Sequence, residues 1–313
     1  MTKQTFHGII PPIVTPLNAD GTVNHRDLAQ HVEYLIASGV SGVFPLGSTG
    51  EVPYLTDADR LGIVSTVSKT VAGRVPVIAG AIELTAARVA ESGKALVEAG
   101  ADAIVATAPI YAINDETEIA NHFRTIKQAI GVPLFAYDVP VRVHRKLSPK
   151  LLVNLGSEGV IDGVKDSSGD DVGFRRLIAM NEAAGHPLAL FTGHEVVVDA
   201  MAMIGADGAV PGLANVDAAA YVRLWGAAKA GDMKTAIAEQ DYLNRLFEIV
   251  FCAIGRSGDA AGVGAFKAAM FAVGNLSTPT MASPVKALDG AVLEQIHAIL
   301  ADVHLADKVA QVA

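Results

Sequence analysis

The sequence predicts an α/β fold, a (β/α)8 TIM barrel followed by a C-terminal helical extension. Eight short apolar runs alternate with helix-patterned segments, the signature of strands joined by helical crossovers. A chain of 313 residues is long enough for one such barrel with a supplement. No Gly-rich nucleotide loop follows the first apolar run, as a doubly wound open sheet would carry. The expected division is a barrel over residues 1–231 and helices packed on it over 232–313.

The first strand, 8–15, runs into the plain turn Pro16-Leu17-Asn18-Ala19-Asp20-Gly21. Asn24 then caps a helix that ends near Gly39. A second strand, 42–46, precedes a helix opened by Thr56, where Thr56 and Asp59 read as a weak capping box, and closed by Gly73. The strand at 75–79 leads to a helix ending at Gly100, and the strands at 103–106 and 133–138 follow. Ser148 opens the next helix with Pro149 at its first position. Further strands are expected at 161–165, 188–192 and 208–211, apolar and bounded by Gly, Pro or Asp as buried parallel strands are. Beyond Asp232 the pattern is helical only, over 233–254, 260–273 and 291–303.

Composition narrows the function. The charge is 24 − 33 = −9 and the sequence pI about 5.4, with no basic cluster, which argues against nucleic-acid or acidic-membrane partners. The single Cys252 forms no internal disulfide and offers no Cys pair to a metal. Mean hydropathy is +0.37, yet the longest uncharged stretch, 268–285, carries Asn275, Pro279 and Pro284 among its polar residues, unlike a spanning helix. A short apolar run at the start contains Pro11 and Pro12 and does not read as a signal peptide. A soluble cytoplasmic protein is expected. With aromatics at 5%, its core is expected to be mostly aliphatic.

Catalytic groups of a barrel sit at the C-terminal ends of its strands. Lys165 stands out there: of twelve lysines it alone ends an apolar strand run. A buried lysine tends to lose its proton, and the neutral amine can attack a carbonyl to form a Schiff base; the alternative is a lysine that snorkels to Asp162 or Asp166. Tyr137 offers a phenol for proton relay, or simple packing. Ser48 and Thr49, set between glycines, suit a carboxylate, or merely a turn. Glu51 is either a base or a partner of loop N–H groups, and Arg142 either a carboxylate fork or a solvated loop residue. Arg145 and Lys146 read as solvated. His194-Glu195 lacks the second His of a zinc helix. The Gly212-Leu213-Ala214-Asn215 loop is an unspecific phosphate candidate.

With these residues in view the chain resembles the dihydrodipicolinate synthase / N-acetylneuraminate lyase family of Schiff-base aldolases over nearly its whole length. The most specific pieces are Gly47-Ser48-Thr49-Gly50-Glu51, Tyr137-Asp138-Val139-Pro140 and Gly163-Val164-Lys165-Asp166-Ser167-Ser168. The resemblance implies a lyase without metal or organic cofactor that joins pyruvate or a related 2-oxo acid to Lys165 and condenses it with an aldehyde such as aspartate semialdehyde. It implies Lys165, Tyr137, Ser48, Thr49 and Tyr111 as catalytic residues, with Tyr111 reaching a neighbouring subunit of a homotetramer, a dimer of dimers. It implies Ser48, Thr49, Arg142, Gly193 and Val210 as substrate-binding residues. The chain departs from the synthase pattern at Asp138, where Asn is usual and a charge is added near the mouth, and at Val143-His144. It departs again at Ala81-Ile82-Glu83-Leu84 and at Asp57 and Arg60, which replace residues associated with feedback lysine. These departures leave open a catabolic aldolase or dehydratase acting on a 2-oxo-3-deoxy acid. From a different class, a barrel that binds a small acid without turnover would show Lys165 with an Asp partner.

Overall fold

A computed structural model describes residues 6–310. Its seven parallel strands are β1 (Gly8–Ile9), β2 (Ile78–Gly80), β3 (Ala103–Thr107), β4 (Leu134–Asp138), β5 (Gly163–Asp166), β6 (Ala189–Thr192) and β7 (Gly208–Ala209). They form one sheet in the order β1-β7-β6-β5-β4-β3-β2. From β2 to β7 each strand lies beside the next in sequence. Crossovers of one hand then put the helices on one face, and the sheet curls around the other. The helices between the strands are α1 (His25–Ala37), α2 (Asp57–Val71), α3 (Ala86–Glu98), α4 (Glu116–Ile130), α5 (Pro140–Val143), α6 (Pro149–Ser157), α7 (Asp171–Ala183) and α8 (Val198–Met203). After β7 come α9 (Ala218–Lys229), α10 (Met233–Phe247), α11 (Gly258–Ala272), α12 (Gly290–Asp302) and α13 (Leu305–Val309).

Local chemistry sets the helix starts as expected. Asn24 accepts from the Asp27 N–H, Thr56 and Asp59 form a reciprocal capping box, and Ser148 accepts from Leu151 N–H ahead of Pro149. Gly39, Gly73 and Gly100 all have positive φ just past a helix end. The stretch expected as one helix over 233–254 is divided: α10 stops at Phe247 and a 3-10 turn, Glu248–Cys252, follows.

The strand expected at 42–46 is not a regular strand, and β1 is shorter than expected. Residues 43 and 44 make only single parallel bridges, Pro12 to Phe44 and Val43 to Val77. Pro11, Pro12, Pro45 and Pro76 have no N–H to give, so a continuous ladder cannot form on either side. The remaining donors are used: Phe44 N–H to Pro11 O and Ile13 N–H to Phe44 O, both 2.9 Å, and Val43 N–H to Pro76 O, 3.0 Å. This segment thereby spans the gap between β1 and β2, the two ends of the sheet. Gly80 makes the approach feasible, since a Cβ there would lie 2.1 Å from Leu46 O.

Asn215 fastens the far side of the same gap. Its Oδ1 accepts from Val14 N–H at 3.0 Å and lies 2.8 Å from His31 Nε2, while its Nδ2 donates to Pro12 O and Gly212 O. The 3-10 turn Gly212–Asn215, a phosphate candidate in the sequence, is buried and committed to this staple. Phe44, Phe135 and Phe191 line a void of about 20 Å³ together with Lys165 and Val210.

Candidate active site

In a strand, alternate side chains face opposite sides. Thr107, Tyr137 and Lys165 are register partners on β3, β4 and β5, so all three share the inner face, and Asp138 and Asp166 share the outer one. Lys165 is only 6% exposed. Its Nζ lies 4.4 Å from the Tyr137 ring centroid and 4.9 Å from that of Phe44. Both carboxylates that the sequence offered it are taken. Asp162 binds Lys127 at 2.8 Å, and Asp166 binds Lys146 at 3.1 Å. Among the described residues no carboxylate forms an ion pair with Lys165, which removes the snorkelling alternative.

Tyr137 is buried, and burial alone would push its phenol up. The neighbouring Lys165 ammonium and hydrogen bonds involving Ser48, Ser167 and Lys165 outweigh that cost and bring it below the usual phenol range. Ser48 Oγ is 3.5 Å from the Tyr137 hydroxyl. The loop that carries Ser48 and Thr49 is shaped at both ends by left-handed residues, Leu46 and Glu51. Glu51 is held structurally: it is buried, ion-paired with Lys267 of α11, and accepts from Ala282 N–H at 2.8 Å. Lys267 was not singled out by its place in the sequence, yet it is fully buried as well.

Above Tyr137 opens a cavity of about 310 Å³. Val52, Pro53, Ile82, Leu84, Ile110, Val139 and Val143 make most of its wall, with Ser48 and Thr107 at the side nearest Tyr137. Arg142 lies at this cavity and is not a free solvated residue: its guanidinium ion-pairs with Asp259 at the start of α11. Tyr54 donates to the same carboxylate at 2.9 Å. Glu83 also faces the cavity, and both Arg60 and Arg88 bind it.

Two expectations about charge are corrected. Asp138 adds no charge at the mouth. It is fully buried on the outer face, binds Lys146, and accepts from Leu147 N–H at 3.1 Å. Burial pushes its carboxyl up to about 6 against the pull of Lys146. Lys146 in turn is not solvated but clamps Asp138 to Asp166, anchoring the loop that carries Arg142.

Gly193 follows β6, and its N–H donates to Asp166 O at 2.6 Å. A Cβ at Gly193 would meet Ser167 Oγ at 2.0 Å and lie 3.1 Å from Asp166 O, so a larger residue would require Ser167 to move for β6 to keep this approach to the Lys165 turn. Val210 lines the inner void with Lys165. Tyr111 is 97% exposed, on a left-handed residue after β3, and does not line the cavity. Thr107, Tyr54 and Asp259 were missed in the sequence. Thr107 directly follows the strand expected at 103–106; Tyr54 ends a 3-10 turn and Asp259 lies in the first turn of α11, neither with a distinguishing pattern. Glu195 was noted only as half of a failed zinc motif. Burial pushes its carboxyl up to about 7, and it accepts from Leu213 N–H at 2.6 Å.

Comparison with known proteins fits this geometry. The model of the dihydrodipicolinate synthetase family matches residues 5–303. An uncharacterized DapA-like lyase of Halobacterium salinarum is 33% identical over 301 residues, covering 96% of this chain and 95% of the relative. A 4-hydroxy-tetrahydrodipicolinate synthase of Phenylobacterium zucineum is 33% identical over 253 residues, 80% of this chain and 84% of the relative. Among solved structures, YagE, a prophage protein of the dihydrodipicolinic acid synthase family from E. coli K12 in complex with pyruvate, superposes with a TM-score of 0.90. It is 27% identical and is covered in full by 96% of this chain. The chloride-inhibited dihydrodipicolinate synthase of Acinetobacter baumannii, complexed with pyruvate, gives a TM-score of 0.87 at 27% identity, again over 96% of this chain and all of the other.

Proposed function

The chain belongs to the dihydrodipicolinate synthetase family and is a lyase, and we propose that it makes or breaks a carbon–carbon bond through a Schiff base between Lys165 and a 2-oxo acid such as pyruvate. One observation carries the proposal: a buried lysine without a carboxylate partner among the described residues, packed on the ring of a tyrosine whose phenol is brought below its usual range. The Lys165 amine attacks the C2 carbonyl, and loss of water leaves an iminium. Removal of a C3 proton gives the enamine, whose C3 bonds to the carbonyl carbon of an aldehyde. The Tyr137 hydroxyl protonates the alkoxide that forms, and water releases the product from Lys165. Cleavage is the same sequence reversed. Tyr137, beside both Lys165 and Ser48, is suited to pass protons between the amine, the substrate and the loop.

In this reading Ser48 and Thr49 receive the 2-oxo acid's carboxylate, and Gly193 and Val210 border the bound 2-oxo acid. The pyruvate named with two structural neighbours supports a 2-oxo acid here. The fold is read as a (β/α)8 barrel over 1–231 with a helical extension over 232–313; the bridges of residues 43 and 44 to both sheet ends support closure. The working assembly is read as a homotetramer in the cytoplasm, with Tyr111 serving the neighbouring subunit. Condensation with aspartate semialdehyde would use Arg142 to hold the second carboxylate. The ion pair of Arg142 with Asp259 favours the catabolic reading instead, an aldolase or dehydratase of a 2-oxo-3-deoxy acid. Pyruvate release from a panel of 2-oxo-3-deoxy acids, set beside pyruvate consumption with aspartate semialdehyde, tests the assignment. Activity on either arm that disappears in Lys165→Ala supports it, and undiminished activity in that variant refutes it.

A further inference from the structure

We infer that the cavity above Tyr137 selects an aldehyde with an uncharged, apolar body, and that Asp259 sets this selectivity by neutralising Arg142. The inference rests on the Schiff-base reading and names the substrate class of that site. Every charged group facing the cavity is already matched. Arg142 is spanned by the Asp259 carboxylate, which contacts both of its terminal nitrogens. Asp259 is itself largely buried and fixed by Tyr54, which holds it in place against Arg142, whose side chain stays 46% exposed on the solvent side of the pair. Glu83 is held by Arg60 and Arg88. A second substrate bearing a carboxylate would have to break the Arg142 pair and leave the Asp259 charge beside its own, which is costly in a partly desolvated cleft.

The walls say what fits in its place. Val52, Pro53, Ile82, Leu84, Ile110, Val139 and Val143 offer aliphatic surface and no hydrogen-bonding side chain. A polyhydroxylated chain placed against them would lose water contacts without replacement, whereas an alkyl or aryl body would gain by burial. Apart from Glu83, the polar groups of the cavity fall into two clusters. Ser48, Thr107 and Tyr137 stand where the carbonyl reacts, and the Tyr54–Asp259–Arg142 cluster stands at the mouth.

The test is a comparison of kcat/KM for condensation of pyruvate with butanal, succinic semialdehyde, aspartate semialdehyde and glyceraldehyde. Deuterium exchange into the pyruvate methyl group, read by NMR without any aldehyde, runs beside it. The expected result is a preference for butanal of at least ~10-fold over each of the others, the scale of one displaced charge pair. In Asp259→Asn, which frees the guanidinium fork, the ratio of succinic semialdehyde to butanal should rise at least ~10-fold. Methyl exchange with a wild-type preference for a carboxylated aldehyde or for glyceraldehyde overturns this inference and leaves the Schiff base standing. Absence of methyl exchange overturns both. An unchanged ratio in Asp259→Asn, with the butanal preference intact, overturns the role given to Asp259.

Discussion

Lys267→Met should destabilise the protein by about 3–5 kcal/mol, the usual cost of stranding one member of a buried ion pair. Lys267 and Glu51 are both at most 1% exposed, so no water reaches the carboxylate once the ammonium is gone. Two unit charges about 4 Å apart at an effective dielectric near 20 attract by about 4 kcal/mol, which is consistent with that range. Lys267 Nζ also donates to Thr280 O at 2.8 Å, and that half-buried carbonyl would lose its partner, for about 1 kcal/mol more. Removing both charges in Glu51→Gln/Lys267→Met should recover at least about 2 kcal/mol, because the amide can still accept from Ala282 N–H. Equilibrium unfolding in urea of the two single variants, the double variant and the parent supplies the cycle. Glu51 lies two residues after Thr49, so turnover should fall in Lys267→Met and partly return in the double variant. A loss below about 1 kcal/mol in Lys267→Met, or a double variant as unstable as the sum of the singles, would refute the argument.

Tyr137→Phe should keep the fold and still accept pyruvate slowly at Lys165, while turnover drops roughly 10²–10⁴-fold, the range for a lost proton-transfer group; parental turnover would reduce Tyr137 to packing. Lys165→Ala and Tyr111→Phe subunits should each be poorly active alone. Dissociated, mixed and reassociated, they should regain about a quarter of the parental sites, because half of randomly paired dimers are hybrids with one intact site of two. No recovery in hybrids verified by mass would mean that Tyr111 does not serve a neighbour. His31 is buried and its imidazole is pushed down to about 4 from 6.5, so the folded state binds fewer protons than the unfolded one in that window. Stability should therefore be intact above pH 6.5 and lost as pH falls toward 4, by about 2 kcal/mol between pH 7 and 5. Urea midpoints at the two pH values measure this, and a His31→Gln variant with the same pH slope as the parent would contradict it.

What was legible in the sequence was what is decided locally. Asn24, Thr56 with Asp59, and Ser148 with Pro149 satisfy donors within their own first helical turn, and each caps as expected. The apolar runs placed Lys165 and Tyr137 at strand ends, and the strand register then puts both on the inner face. Residues 42–46 misled because their composition is that of a strand, whereas pairing was limited by prolines on the neighbouring segments. The charged pairs were illegible for a different reason. Arg142 and Asp259 are 117 residues apart, and Glu51 meets Lys267 across most of the chain. Nothing local distinguishes a lysine destined for a carboxylate from one left without. Even Asp138 and Lys146, eight residues apart, read as mouth and solvent until the strand face and the loop path were known.

The central claim is that Lys165 forms a covalent imine with a 2-oxo acid, and borohydride reduction in the presence of pyruvate tests it most directly. Reduction should add a single 1-carboxyethyl group to the intact chain and map to the peptide containing Lys165; pyruvate omitted, or Lys165 replaced by Ala, should give no adduct. An adduct on another lysine, or none in the parent protein, would contradict the account.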